Sequence, residues 1–208
     1  MTARVVLLLF DRMDLLDFGG PYEVFLTASR LASRQGLPEP FEVLTVSATD
    51  EPVTAYGGVG LSPSHRLDDV GSAAVVVIPG AIDIEAVAAE PQVQAAVRRL
   101  SDTAAVTASV CTGAFLLADA GLLAERSFTT HWEDVSDLSR RVGTADRAAV
   151  SRWVDTGEVV TAGGLSSGIA MALHLVDRLA GRATAVATAR QIDYVWDPED
   201  PDAGVANP

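Results

Sequence analysis

Short apolar runs alternate along the chain with longer segments in which apolar residues recur every three or four positions. The runs are rich in Val, Leu and Ile at nearly every position, which is typical of strands buried on both faces of a parallel sheet. They predict strands at residues 4–10, 41–46, 73–78 and 104–110. The helical periodicity predicts helices at residues 20–33, 90–101 and 112–120. This alternation favours an α/β fold with an open, mostly parallel sheet and helices on both faces.

The last third of the chain continues this pattern. A turn at residues 155–158 predicts a hairpin that joins residues 152–154 to a fifth long strand at 158–162. Two helices follow, one capped by Ser166 or Ser167 and stopped by Gly181, and the other at residues 183–194. We expect one domain over residues 1–196 and an irregular tail over 197–208, which is acidic and contains proline.

Composition narrows the classes of partner. Of 208 residues, 49% are apolar and 21% are charged, which is typical of a globular domain. The net charge of −13 disfavours binding to nucleic acid or to anionic lipid. No apolar stretch is long enough for a membrane span, and a single cysteine allows no intrachain disulfide. We therefore expect a cytoplasmic protein that binds a small molecule.

That single cysteine, Cys111, follows a predicted strand directly and is succeeded by Thr112, Gly113 and a helix. Strand, nucleophilic residue, small residues and helix are the pattern of a nucleophile elbow, in which a tight turn exposes the side chain at the top of the sheet. The N–H groups of the helix N-terminus are expected to lower the pKa of the thiol. The same position also suits a buried structural cysteine, and position alone does not separate the two interpretations.

Two other strand ends carry candidate residues. Asp17 follows the first strand, where it could cap the next helix or act as a general acid or base beside the thiol. Gly80, after Pro79 at the end of the third strand, could turn backbone N–H groups towards the mouth as an oxyanion hole, or simply form a turn.

The histidines favour a substrate contact over a metal site. His131 lies among polar neighbours near a predicted helix start and could be a base or a substrate contact, whereas His65 and His174 suit structural roles. Their wide spacing predicts no metal. Glycines 57, 58 and 60 match no phosphate-binding motif and more simply shape a hairpin, so we expect no cofactor.

The motifs taken together resemble the ThiJ/PfpI superfamily, and most closely its isonitrile hydratase branch. The matching segments occur in order over nearly the whole chain: residues 16–21, 78–80, 109–114, 130–132 and 163–164. The resemblance implies a flavodoxin-like three-layer sandwich, a homodimer, Cys111 as the nucleophile and Asp17 as its acidic partner. It places Thr112 where many members have histidine, which favours the hydratase branch, and it extends the substrate contacts to Ala81 and Gly164.

Two departures affect the implied pocket. Ala81 replaces a second glycine that the family usually has, and Ala170 stands where an acidic residue is common. The implied reaction is addition of water to an isonitrile through a cysteine thioimidate. The alternatives are another cysteine enzyme of the superfamily, such as an amidase, glyoxalase-like enzyme or deglycase, and a non-enzymatic ligand or redox sensor. Related domains in arabinose-regulator-type transcription factors carry a helix-turn-helix region, which would need residues beyond Pro208, so we expect an enzyme.

Overall fold

The computed structural model describes residues 2–200 and contains a six-stranded sheet in the order β2-β1-β5-β6-β8-β7. All neighbouring pairs are parallel except β7 with β8. The strands of the described chain, including a separate two-stranded hairpin of β3 and β4, are β1 Ala3–Leu9, β2 Phe41–Ser47, β3 Val53–Thr54, β4 Gly60–Leu61, β5 Ala73–Ile78, β6 Ala104–Val110, β7 Trp153–Asp155 and β8 Val159–Ala162.

Helices cover both faces of this sheet. They are α1 Leu15–Arg34, α2 Ile84–Ala88, α3 Pro91–Thr103, α4 Gly113–Asp119, α5 Val135–Val142, α6 Ser167–Ala180 and α7 Arg182–Gln191. Helices α1, α6 and α7 pack together on one face, and α2 to α5 form the layer on the other. The predicted α/β sandwich is therefore confirmed. None of the described helices is long and apolar enough to cross a membrane.

The core explains why β1 and β5 are apolar at nearly every position. Residues 5–9 of β1 are each at most 1% exposed, and residues 75–78 of β5 are fully buried. Strands covered on both sides bury alternate side chains against opposite helix layers, so both faces of β1 and β5 are apolar, and β6 adds only the small buried hydroxyl groups of Thr107 and Ser109. This burial fixes β1, β5 and β6 side by side, with their carboxyl ends on one edge of the sheet.

The predicted strands and hairpin are confirmed to within a few residues, but the predicted start of the first helix is wrong. Helix α1 begins at Leu15, five residues before Gly20, and runs through Gly20 and Pro21. Asp17 therefore lies within the first turn of α1, and Asp14 occupies the N-cap position that the cap interpretation gave to Asp17.

The remaining observations concern helix ends and short elements. Helix α7 ends at Gln191 instead of residue 194, and the short helix α2 was not expected, whereas the helix predicted to start near His131 is α5, which begins at Val135. The glycines at 57 and 58 do form a hairpin, between β3 and β4, with φ values of +89° and +94°. Residues 197–200 have no regular structure, and the rest of the predicted tail lies outside the described residues.

Candidate active site

Cys111 sits on a tight turn between β6 and α4. Its φ of +56° is unusual for a residue with a side chain and stores backbone strain of the kind found at functional sites. Three hydrogen bonds hold this conformation: the Cys111 N–H donates to the carbonyls of Ala162 (3.1 Å) and Gly163 (3.0 Å), and the Thr130 hydroxyl donates to the Cys111 carbonyl (2.8 Å). The elbow geometry predicted for this cysteine is present.

Asp17 reaches the same point from α1. Its side chain is fully buried, and its Oδ2 accepts a hydrogen bond from the Gly80 N–H at 3.0 Å. Oδ1 has no hydrogen-bond partner among the described residues. Burial raises the pKa of Asp17 to about 7, with the Asp14 charge adding to the rise, while the N–H groups of Gly80 and Leu165 and the thiol of Cys111 oppose it.

The loop after β5 closes against the elbow through Thr112. The Thr112 hydroxyl donates to the Ala81 carbonyl at 2.8 Å and accepts from the Ala81 N–H at 2.9 Å. The N–H groups of Gly80 and Ala81 are thus engaged by Asp17 and Thr112, in contrast to the expectation that they open towards the mouth. A Cβ at Gly80 would lie 2.6 Å from Thr112 Oγ1 and 2.9 Å from Asp17 Oδ2, so only glycine fits this crossing point.

Asp14 is a third member of this group that the sequence interpretation did not single out. One oxygen each of Asp14 and Asp17 and the Sγ of Cys111 lie within 4.8 Å of one another. The Asp14 N–H donates to the Gly80 carbonyl at 2.9 Å, so one peptide unit anchors both aspartates. A prediction that the helix begins at residue 15 would have drawn attention to Asp14, because Asp14 and Asp17 are three positions apart and such residues share a helix face.

The pKa of the thiol departs from its usual value in the opposite direction to that expected. Burial raises the pKa of Cys111 strongly, and the charge of Asp17 raises it further. The N–H groups of Thr112 and Leu165 lower it, but they do not compensate. The expectation that the helix N-terminus lowers this pKa is therefore wrong, because Cys111 is only 5% exposed and faces carboxylates.

His131 and Gly164 lie beside the elbow, in a cavity that Cys111, Asp14 and Asp17 do not themselves line and that we call the mouth. His131 and Gly164 line this cavity of about 250 Å³ together with Thr130, Trp132 and Leu165, among others. A Cβ at Gly164 would lie 2.3 Å from the His131 ring, so the two residues are in direct contact. The His131 charge lowers the pKa of Asp14, while burial raises it with the larger effect. The elbow, the carboxyl pair and the mouth histidine are therefore brought together.

A metal ion would find donors here but would have to displace protons. Asp14, Asp17 and Cys111 are the one group of three close potential ligands in residues 2–200. Metal binding requires deprotonated thiol and carboxylate groups, and burial raises the pKa values of all three residues. The arrangement is better suited to moving protons next to a sulfur atom, and the expectation of no metal stays a prediction.

The DJ-1/PfpI family model matches residues 3–178, which is most of the chain. The chain belongs to the DJ-1/PfpI family. It is similar to the isonitrile hydratase of Pseudomonas putida, with 33% identity over 194 residues that cover 93% of this chain and 79% of the hydratase. The crystal structure of a ThiJ/PfpI family protein from Pseudomonas syringae has the same fold, with a TM-score of 0.81 and 22% identity over 99% of this chain and 83% of that one.

Another relative of the chain is a regulator. The HTH-type transcriptional regulator GbdR of Pseudomonas aeruginosa is 26% identical over 190 residues, which cover 90% of this chain and 49% of the regulator. The chain is therefore similar to part of a regulator as well as to an isonitrile hydratase.

Proposed function

We propose that the protein is an isonitrile hydratase-like enzyme, a hydro-lyase that converts an isonitrile and water to an N-substituted formamide. The observation that carries the proposal is the strained Cys111 with a fully buried carboxyl within 4.8 Å of its sulfur. A pKa of about 7 keeps both forms of Asp17 populated at neutral pH, as a group that both donates and accepts protons requires. The 33% identical isonitrile hydratase supports the choice of substrate class.

In the first step, the sulfur of Cys111 bonds to the terminal carbon of the isonitrile, and the thiol proton passes through Asp17 to the same carbon. The product is a thioimidate, in which the former triple bond is a C=N double bond. A thiol held neutral until substrate arrives suits this step, because the sulfur and its proton both end on the substrate. The N–H groups of Thr112 and Leu165, which face the sulfur, stabilise it as charge develops.

In the second step, water adds to the thioimidate carbon. The nitrogen gains one proton of the water, and the carbon gains the hydroxyl group. The C–S bond then breaks, the hydroxyl oxygen becomes the formamide carbonyl, and its proton returns through Asp17 to the sulfur. Water and isonitrile are consumed in equal amounts, and Cys111 and Asp17 are regenerated.

The mouth residues contact the substituent on the isonitrile nitrogen. His131 and Gly164 line the cavity of about 250 Å³ next to the elbow, which matches a small aliphatic or cyclic group. Thr112 links the elbow to the Gly80–Ala81 loop, because its hydroxyl both donates to and accepts from the Ala81 backbone. With these hydrogen bonds made, the Thr112 hydroxyl is not placed to act as a base.

The test is incubation of the purified protein with cyclohexyl isocyanide, with the formyl proton of the product followed by NMR. We expect the formamide from the parental protein and none above background from Cys111→Ala, and a reaction in D₂O should place deuterium on the formyl carbon. Formamide production by Cys111→Ala at the parental rate, or its absence with the parental protein, would refute the proposal.

Similarity to part of GbdR favours a second candidate, a ligand-sensing domain without turnover. A sensor would bind its ligand with no product and would tolerate Cys111→Ala. A redox sensor would instead show Cys111 oxidation by mass spectrometry after mild peroxide treatment, with no turnover of isonitriles or of amide and aldehyde substrates of other superfamily enzymes.

The same proposal includes a homodimer in the cytoplasm. Support for a dimer comes from apolar side chains that stay exposed around the bridge between Met13 and Ala81. Ile82 is 67% exposed and Tyr56 62% exposed, and the Tyr56 N–H donates to the Met13 carbonyl. Large exposed apolar side chains gathered beside a functional site are typical of a subunit interface.

A further inference from the structure

The carboxyl group of Asp14 has no structural task that the described residues reveal. Asp14 is the N-cap residue of α1, yet its side chain makes no capping hydrogen bond. An N-cap aspartate ordinarily accepts a hydrogen bond from an N–H of the first turn. Here the backbone N–H is held by Gly80, and the half-buried carboxyl lies next to Asp17 and the Cys111 sulfur.

Solvent exposure decreases from His131 and Asp14 to Asp17 and the thiol of Cys111. Asp17 is fully buried and Cys111 is 5% exposed, whereas Asp14 is half-buried and the His131 side chain is 22% exposed. A buried acid that must gain and lose a proton in each turnover needs a partner that reaches water. Asp17 has its Oδ2 occupied by Gly80 and its Oδ1 unpaired, so Oδ1 is the atom left for proton exchange.

We propose that Asp14 is a positioning residue for Asp17: through it, the Asp17–Cys111 pair exchanges protons with His131 and with water at the mouth. The proposal deepens the isonitrile hydratase assignment and takes its catalytic meaning from it. It also gives Asp14 an electrostatic effect that needs no substrate, because its negative charge disfavours a second negative charge on Asp17 or Cys111.

The charged groups around Asp14 agree with this role. The charge of Asp14 raises the pKa values of both Asp17 and Cys111, and that of His131 lowers the pKa of Asp14. His131 is itself placed by two carboxylates, with its Nδ1 3.5 Å from Asp134 and 3.7 Å from Glu133. Two residues before Asp14, the Arg12 side chain pairs with Glu90.

The first arm of the test measures thiol reactivity without any isonitrile. Iodoacetamide alkylates the Cys111 thiolate with loss of iodide, and the chain contains no other cysteine to interfere. We expect Asp14→Asn to shift the pH profile of alkylation to lower pH by roughly half a unit or more, because a nearby negative charge is removed. Asp102→Asn, an exposed aspartate before the amino end of β6, should leave the profile unchanged.

The second arm measures hydration of cyclohexyl isocyanide. Asp14→Asn should lower kcat by roughly tenfold or more, because Asp17 loses its route for protons, and Asp14→Glu should recover part of the loss. Faster alkylation combined with slower turnover is a pairing that simple damage to the fold would not produce. Thermal melting checks that Asp14→Asn stays folded, which we expect since the side chain caps nothing.

The outcomes separate this proposal from the function on which it rests. An unchanged alkylation profile in Asp14→Asn overturns the proposal, whatever the turnover. A shifted profile with undiminished kcat also overturns it, because Asp17 would then exchange protons by another route. If the parental protein does not hydrate isonitriles, the assigned function fails, and the alkylation profile alone decides whether Asp14 controls the protonation of the pair.

Discussion

At the residue scale, the raised pKa of Asp17 links the site to stability. The pKa lies at about 7 in the folded protein, against an ordinary value of 3.8. The unfolded chain therefore loses this proton near pH 4, while the folded chain keeps it until pH 7. Folding is penalised progressively across that interval, and the full penalty applies above pH 7.

We predict that Asp17→Asn raises the melting temperature at pH 8 and leaves it nearly unchanged at pH 4. The gain is at most about 4 kcal/mol, because other groups share the titration. Asparagine can still accept the hydrogen bond from Gly80, so the contact is retained. The same variant should lose hydration of isonitriles, and Asp102→Asn should change neither property. A melting temperature lower at pH 8 than that of the parental protein would contradict this account.

The residues of the site differ in how far the sequence could reveal them. Cys111 is recognisable as a lone nucleophile at the end of a strand, and Asp17 through the segment 16–21, which resembles the ThiJ/PfpI superfamily. The direction of the thiol's pKa shift could not be predicted, since it depends on burial and on two carboxylates brought from 94 and 97 residues away in the chain. Leu165, with a φ of +48°, gave no signal at all, because its contribution is a backbone N–H.

At the element scale, the glycines of α1 explain why the helix starts earlier than predicted. Gly20 and Pro21 suit the start of a helix better than its interior, which is why the predicted helix begins there, but tertiary packing extends α1 through them. A Cβ at Gly20 would lie 2.9 Å from Cγ1 of Ile169 in α6, so the glycine allows two helices to approach closely. Gly20 is evident in the sequence, but its packing against α6 depends on the tertiary fold and is not.

The loop after β5 gives a sharp prediction about another glycine. Gly80→Ala should lower both stability and turnover, because the added Cβ would collide with Thr112 and Asp17, which are themselves hydrogen-bonded in place. We expect a stability loss of about 1–3 kcal/mol by overpacking, measured by urea unfolding. Gly19→Ala is the matched control: Gly19 is helical, has no atom within 4 Å of an added Cβ, and should be neutral or slightly stabilising. Equal effects of the two substitutions would show that the structure tolerates a Cβ at position 80.

At the scale of the whole molecule, strand order places the site. Strand β1 pairs with β2 on one side and with β5 on the other, so the direction of winding reverses beside β1. Ligands of open α/β sheets bind at the carboxyl ends of strands near such a reversal. Asp14 and Asp17 follow β1, Gly80 follows β5 and Cys111 follows β6. Alternation along the sequence predicted the layers, but strand order depends on long-range pairing, which periodicity does not encode.

The position of the site also favours one surface as the subunit interface. Leu16 at the start of α1 and Ile82 after β5 are 44% and 67% exposed, and the hairpin of β3 and β4 adds Tyr56 to the same surface. A second apolar surface lies on α7, where Val186 is 50% exposed. The first surface adjoins the active site, and a partner seated there would exclude water from its mouth, so we expect that surface to be the interface.

We therefore predict that Ile82→Asp converts a dimer into a monomer in light scattering coupled to size exclusion, because a buried aspartate without a partner is costly at an apolar interface. Val186→Asp should leave the dimer intact. Dissociation by Val186→Asp and not by Ile82→Asp would move the interface to α7, and a parental protein that elutes as a monomer would refute the dimer. If Ile82→Asp also raises KM for cyclohexyl isocyanide in proportion to the monomer formed, the partner subunit closes the mouth of the site.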